Sequence, residues 1–562
     1  MTEDGPSEQI ELSDVSTPKS ATTNHYLNDL DPLVKIAAYI ALALIALAPV
    51  LVALKFSGQG WTATGDAATI GLRTMDTWGP NAPLVGQPTT GENASGVLSY
   101  HPGPLQNWVL SPAVRLLGLQ TGLLVGTAIV VGASLATIVW LSFRRAGIRV
   151  AGLSVAMLSL LVWALGSFRL VDPMNSEFPT FPLLACMFTM WCILVGDLKV
   201  APAFAFFSAL AMQPHVSGFA TLTPLLLIAL VRVVQLIVTR PELRRETLPW
   251  LACGVLVLIT CWIPPLLQEL SGPSNFTALV ETSIKASGPT LGALFLVERI
   301  LASVTPMPLW AHRGRDLEFM KEQGAGQLIL GALIAGGTGS VALARRFFSR
   351  RPAPSQLYLI SVALLLSAVT AWAGAPVTSG FRSDGFRWLW VTSWMIWFVL
   401  LWSAGSFVLE RLKLVVKEKY VAGFVVACSI GICVLGVVNS NLALSRDNTY
   451  QEPTRYLSRE LIAALPAGNY YFTFGGGSDA GLTVGPGILA AAEDAGWKAT
   501  VPDNQFGRAF GASRTGRHEA DSGRISVLQG NPELATGERI IASTKLFPTS
   551  AKPVQMTVTL QR

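Results

Sequence analysis

Charge is what this sequence has least of. Asp, Glu, Lys and Arg make up 14% of 562 residues, against roughly 25% in soluble domains. Cysteine is scarce too: the six (Cys186, Cys192, Cys253, Cys261, Cys428, Cys433) all fall inside apolar runs, and none shows C-x-x-C spacing. Buried thiols in apolar surroundings behave as small hydrophobes, so neither a disulfide framework nor a zinc site is implied. No G-x-G-x-x-G and no G-x-x-x-x-G-K-[ST] pattern is present, which removes the common nucleotide-binding loops. The net charge of +6 would suggest nucleic acid in a soluble chain. Here the basic residues sit in short clusters between apolar runs and read as orientation signals, so no nucleic-acid partner is expected.

What the chain does have is apolar length. Hydrophobic residues are 51% of it, and mean hydropathy is +0.47. Eleven runs approach spanning length, at 33–55, 118–142, 150–171, 179–197, 200–214, 216–236, 249–268, 326–344, 355–375, 386–408 and 420–442. The expected fold class is an α-helical polytopic membrane protein with about eleven transmembrane helices. The first 30 residues are polar and acidic with no apolar period, and read as a disordered cytoplasmic tail. The start is acidic rather than basic, so the first run is retained as a membrane helix rather than read as a signal peptide.

The connections divide by character. Arg144-Arg145, Lys199, Arg240 with Arg244-Arg245, Arg345-Arg346 with Arg350-Arg351, and Arg411 through Lys419 are basic and plain. With the N-terminus cytoplasmic, all of them fall inside, as the positive-inside rule requires. The connections 56–117, 172–178, 213–215, 269–325 and 376–385 then lie outside and hold most of the Asp, His, Asn and Pro of the loops. The expected organisation is a tail at 1–30, a membrane domain at 31–442 with external loops 56–117 and 269–325, and an external α/β domain at 443–562. In that last part NYYFTFGG, RISVLQG, RIIAST and VQMTVTLQ read as strands, and GPGILAAAEDAGW as a helix. The Gly475-Gly476-Gly477-Ser478-Asp479 stretch reads as strand–turn–helix punctuation. Residues 291–304, LGALFLVERILASV, have the spacing of an amphipathic helix lying on the outer surface.

The external polar residues form one constellation. Asp66 lies in a Gly-flanked start about ten residues past the first membrane run, with Arg73 and Asp76 following. In a short helix Asp66 and Arg73 share a face, two turns apart. The alternative for Arg73 and Asp76 is a surface ion pair. In SYHPGPLQNW (99–108), two prolines and a glycine stiffen the loop around His101, which suits binding of an anion such as phosphate; a loop-capping His is the plain alternative. The turn DPMNSEFPTFP (172–182) brings Asp172, Asn175 and Glu177 together. Gln213-Pro214-His215, then Gln268, Glu269 and Asn275, then Arg382, Asp384 and Arg387 continue the theme. Ionisable groups at a membrane boundary are costly and mark sites by default.

An acid there can serve as general base on a hydroxyl, and Arg or His can neutralise a departing phosphate. A sugar donor outside the cell would be lipid-linked rather than a nucleotide sugar. The layout resembles the integral-membrane glycosyltransferases of the GT-C class, which place an acid in the first external loop. GDAATIGLR, PLVGQPTT, SYHPGPLQNWVLSP, DPMNSEFPTFP, QPHV and WIPPLLQELSGPSN are similar, in this order, to blocks of an actinobacterial glycosyltransferase-like membrane protein group. The likeness covers roughly 33–400. It implies a transferase moving a sugar from a polyprenyl-phosphate donor to a cell-envelope glycan or glycolipid, working in the plasma membrane in cell wall biogenesis. By carry-over Asp66 is the catalytic base; His101 and His215 line the site and Arg382 holds the lipid phosphate, with Arg73, Asp172, Asn175, Gln268, Asn275 and Asp384 as further substrate-binding candidates. Two departures stand out: Asp66 is followed by Ala67-Ala68 where many GT-C enzymes have a second acid, and the turn has Asn175-Ser176 in place of Asn-Pro. A lone carboxylate is a poor cage for a divalent ion, so no cofactor and a metal-independent mechanism are expected. The competing reading is a transporter or flippase of a lipid-linked precursor, which would want ionisable residues in mid-helix and on both faces. These helices are nearly free of them.

Overall fold

The computed structural model describes residues 31–313, 324–348, 354–376, 383–445, 448–515, 521–531, 533–547 and 552–561. The tail at 1–30 and Arg382 lie outside them.

Each expected apolar run is helical: α1 Pro32–Gly58, α4 Leu119–Ala146, α5 Ile148–Leu165, α6 Thr180–Leu194, α7 Ala201–Met212, α8 Val216–Thr239, α9 Pro241–Ser271, α12 Ala325–Phe348, α13 Ser355–Trp372, α14 Arg387–Arg411 and α15 Glu418–Val438. Between them run shorter helices outside the spanning set, among them α2 Gly65–Met75, α3 Leu105–Leu117, α10 Asn275–Lys285 and α11 Ala293–Ser303. Among the described residues nine helices are long and apolar enough to cross a membrane, while α6 and α7 are shorter, at 15 and 12 residues. The chain is a multi-pass helical membrane protein.

Small residues set the packing. Helix α1 opens with Pro32 behind Asp31, whose carboxylate accepts the Leu33 N–H at 2.8 Å. It buries Ala38, Ala41, Ile45, Ala48, Val52 and Phe56 at helical spacing. Helix α4 approaches it closely: a Cβ on Gly132 would stand 2.4 Å from the Ala46 carbonyl oxygen. Glycine at such a crossing lets two backbones touch.

The basic connections at 144–149, 197–199, 240–246 and 411–419 share one end of the bundle. Asp197 bridges Arg144 (2.7 Å) and Arg145 (3.0 Å), Lys199 pairs with Glu246 (2.7 Å), and Arg149 donates to the Val416 carbonyl (2.9 Å). The connections at 59–117, 166–179, 213–215 and 272–292 gather at the opposite end. There α11, within the stretch expected to be amphipathic, buries Leu296, Arg299 and Ser303, and the Ser393 hydroxyl of α14 donates to the Ser303 carbonyl at 2.6 Å.

After α15 come α16 (Asn448–Ala464), α17 (Gly485–Asp494) and five strands: β1 Asn469–Gly475, β2 Lys498–Thr500, β3 Arg524–Gln529, β4 Glu538–Leu546 and β5 Val554–Gln561. The sheet order is β2-β1-β3-β5-β4, with β1 parallel to β2 and β3, and β5 antiparallel to β3 and β4. The four strands read from the sequence are present; the three-residue β2 and helix α16 are additions. The turn after β1 is filled by Gln529, whose Oε1 accepts the Asp479 N–H at 3.0 Å and whose amide donates to the Asp479 carboxylate at 3.1 Å. That turn is punctuation, occupied by the protein's own side chain.

Candidate active site

Helix α2 carries Asp66. Thr64 is extended, Gly65 sits at φ +51°, and the helix begins there. That left-handed backbone is one glycine adopts without strain. Asp66 falls in the first turn, where the partial positive charge of a helix N-terminus suits an acid, and its side chain is exposed. The helix buries Ala68, Ile70 and Leu72 beneath it.

The first turn of α3 joins the pieces of the site. Asn107 donates its amide to the Ile70 carbonyl (3.1 Å) and the Thr74 hydroxyl (3.2 Å), fixing α3 against α2. Gln106 donates to the Pro173 carbonyl in the acidic turn. The Leu105 N–H donates to the Gln213 side-chain oxygen and the Gly103 N–H to its backbone oxygen, both at 3.2 Å. Gln213 in turn donates to the Cys261 carbonyl at 2.7 Å. Three consecutive residues thus hold the Asp66 helix, the 172–178 turn and the 213–215 turn. Gln106, Asn107 and Gln213 are all buried.

On this scaffold His101 and His215 meet. Their ring centroids are 4.6 Å apart at 32°. The Val216 N–H donates to Nδ1 of His101 at 3.1 Å. Nδ1 of His215 accepts the Ser217 N–H at 3.3 Å and lies 2.7 Å from the Ser217 hydroxyl. An Nδ1 that accepts leaves the ring proton on Nε2, so the hydrogen bonding assigns both rings as Nε2–H donors. Burial, then the neighbouring His215, holds His101 well below the usual histidine range, so it stays neutral.

The acidic turn is deeply set. Asp172 accepts Arg169 at 2.6 Å and the Met174 N–H at 3.1 Å. Arg387 reaches across from α14 and grips Glu177 with two donors, each at 2.9 Å, while Arg169 lies 3.2 Å from the same carboxylate. The Arg387 guanidinium also covers the Trp390 ring at 4.6 Å. Asn175 is buried, and its amide makes no hydrogen bond among the described residues. A recess lined by Ser176, Thr180, Ser217, Thr221, Arg387 and Trp388 opens beside this turn and reaches Ser217, the hydroxyl partner of His215. The Thr180 hydroxyl is buried there without a partner among the described residues.

The remaining sequence candidates fall elsewhere. Asp76 does not pair with Arg73. It takes Arg514 of the sheet domain, at 2.7 and 3.1 Å, and Arg514 also grips Glu493 at 2.6 and 2.7 Å. Arg73 lies beside Gly511 of that domain. Asn275 clamps the Tyr100 backbone, accepting its N–H at 2.9 Å and donating to its carbonyl at 3.1 Å. Gln268 donates to the Pro273 carbonyl at 3.1 Å, closing the end of α9. Asp384 sits in the short helical turn Ser383–Phe386, its side chain outside the described residues, as is all of Arg382. Among the described residues no three His, Cys, Asp or Glu side chains converge as a metal site. Sequence reading passed over Arg169, Gln106 and Asn107 and the partnership of Glu177 with Arg387. The only signal for them was that the quoted segments were polar beside lipid.

No protein-family model matches the chain, and no curated protein does. Three solved structures are similar in outline. The crystal structure of ArnT from Cupriavidus metallidurans bound to undecaprenyl phosphate is 12% identical, covering 96% of this chain and 98% of that one, with a TM-score of 0.47. The same protein in the apo state is 14% identical over 92% and 97%, at 0.44. The oligosaccharyltransferase of Archaeoglobus fulgidus in the apo form is 11% identical over 82% and 63%, at 0.37. The likeness is one of outline, and the chemistry rests on this chain's own residues.

Proposed function

We propose that this chain is a GT-C-type glycosyltransferase that moves a sugar from a polyprenyl-phosphate donor to a hydroxyl of a cell-envelope glycan or glycolipid. The observation that carries the reading is the exposed Asp66, held on a helix fixed by Asn107 to the same turn that ties down the histidine pair and the 172–178 turn. The site end faces outward in this reading, because the basic connections collect at the other. A donor outside is lipid-linked, and it enters laterally between helices.

In the proposed step Asp66 takes the proton of the acceptor hydroxyl as the oxygen attacks the anomeric carbon. The bond from that carbon to the phosphate oxygen breaks, and its electron pair leaves with polyprenyl phosphate. The Nε2–H groups of His101 and His215 donate to the leaving oxyanion, with Arg382 as the charged partner that sequence reading assigns. Hydroxyls and Arg387 in the recess suit the hydroxyls of the sugar. The test is transfer of labelled sugar from a polyprenyl-phosphate sugar by the purified full chain. Asp66→Asn should abolish transfer while the protein elutes from size exclusion like the wild type. Undiminished transfer by that variant would refute the role.

A further inference from the structure

The proposed transfer gives Arg73 no part. Arg73 is half-buried on α2, and among the described residues its guanidinium forms no hydrogen bond and no close ion pair, the Asp76 carboxylate acting on it through space. The other cations beside it are matched. Arg514 spends its guanidinium on Asp76 and Glu493, at 2.7 and 2.6 Å. Arg508 lies 3.3 Å from Asp503. Tyr100, in the loop that leads to His101, interacts electrostatically with Arg73 and Arg508, and among the described residues its hydroxyl likewise has no hydrogen-bond partner. The far wall is the sheet domain: a Cβ on Gly511 would stand 2.4 Å from the Arg73 guanidinium. Burial draws Arg73 below the usual arginine range, and Asp76, which already holds Arg514, offsets this only in part.

A guanidinium kept half out of water loses solvation that no hydrogen bond among the described residues restores. An anionic ligand restores it. We infer that Arg73 and the Tyr100 hydroxyl, in the seam between α2 and the 503–511 segment, bind a phosphate or carboxylate group of the acceptor. The inference rests on the transferase reading and deepens it: the acceptor is an anionic glycan or glycolipid. Arg73 is two turns past Asp66 on one helix face, roughly 10 Å along the axis. The negative group would therefore lie about one to two sugar units from the hydroxyl that is glycosylated. A fork of guanidinium donors with a phenol beside it suits planar carboxylate and tetrahedral phosphate alike.

The experiment uses the full chain in detergent with two anionic probes and their neutral counterparts. Glycerol phosphate is followed by phosphorus NMR line broadening, and glucuronate by saturation-transfer NMR, against glycerol and glucose. At least one anion should bind saturably, and the one that does shows whether the group is phosphate or carboxylate. Arg73→Gln should weaken that binding about tenfold or more, and Arg73→Lys should restore part of it. Asp66→Asn should bind the probe as the wild type does, so this test and the transfer test fail separately. Equal binding by Arg73→Gln, or no saturable binding of either anion by the wild type, would overturn the inference.

Discussion

The rings of His101 and His215 lie 4.6 Å apart, and each Nδ1 accepts a backbone N–H from the start of the same helix, α8. A proton added to His101 would meet a donor at one nitrogen and a second imidazole beside it. The folded state therefore holds His101 neutral, with its pKa well below 6.5.

That depression has a sign. Below about pH 6.5 the unfolded chain binds a proton that the folded chain refuses. The stability His101 contributes is full above that pH and is lost as pH falls towards the folded value, with a slope of up to about 1.4 kcal/mol per pH unit. Thermal unfolding of the solubilised protein between about pH 7.5 and about pH 5 should show the fall, and His101→Gln should flatten it. Parallel curves for the two proteins would contradict the assignment.

Glu177 and Arg387 are a buried pair, with side chains 3% and 4% exposed. Removing Arg387 takes from Glu177 its two-donor partner and leaves it Arg169 at 3.2 Å. Arg387→Met should cost about 3–5 kcal/mol, and the double variant with Glu177→Gln less than the sum of the single changes. A double-variant cycle on unfolding midpoints checks this; strict additivity would mean the pair is not coupled.

Arg514 holds the sheet domain to α2 through Asp76, while Glu493 completes its coordination. Arg514→Gln removes the shared arginine from two largely buried carboxylates, at a cost of about 3 kcal/mol. Limited proteolysis should then cut the connection after α15 faster, and transfer should fall with it. Unchanged cleavage would show that other contacts, such as the Leu119 N–H to Asp494 at 3.0 Å, suffice to dock the domain.

Asn107 is a positioning residue. Asn107→Ala removes both bonds to α2 and should cost about 1–2 kcal/mol of stability, yet lower the transfer rate roughly tenfold with KM little changed. A rise in KM alone would place Asn107 in ligand binding instead.

The bundle was legible in the sequence because burial in lipid demands long apolar runs, and the basic clusters between them mark one end. The strands β1, β3, β4 and β5 announced themselves by composition. Strand β2, at three residues, is too short to carry a period, and α16 is polar with Pro453 inside it, so its buried stripe of Thr454, Leu457, Ser458 and Leu461 did not stand out. An ion pair of Asp76 with Arg73 was the plain alternative in sequence, since the two are three residues apart. The structure gives Asp76 an arginine from another domain, a relation no local spacing expresses. Asn275 and Gln268 show the converse: polar residues beside lipid that hold a loop backbone and a helix end.

The central claim is that Asp66 is the base of a sugar transfer. Glycosyl-linkage analysis of the cell envelope tests it most directly, in a deletion strain, in that strain restored with the wild-type gene, and in that strain restored with Asp66→Asn. The account predicts that one linkage disappears on deletion and returns only with the wild type. Full return of that linkage with Asp66→Asn, or no change of any linkage on deletion, would contradict it.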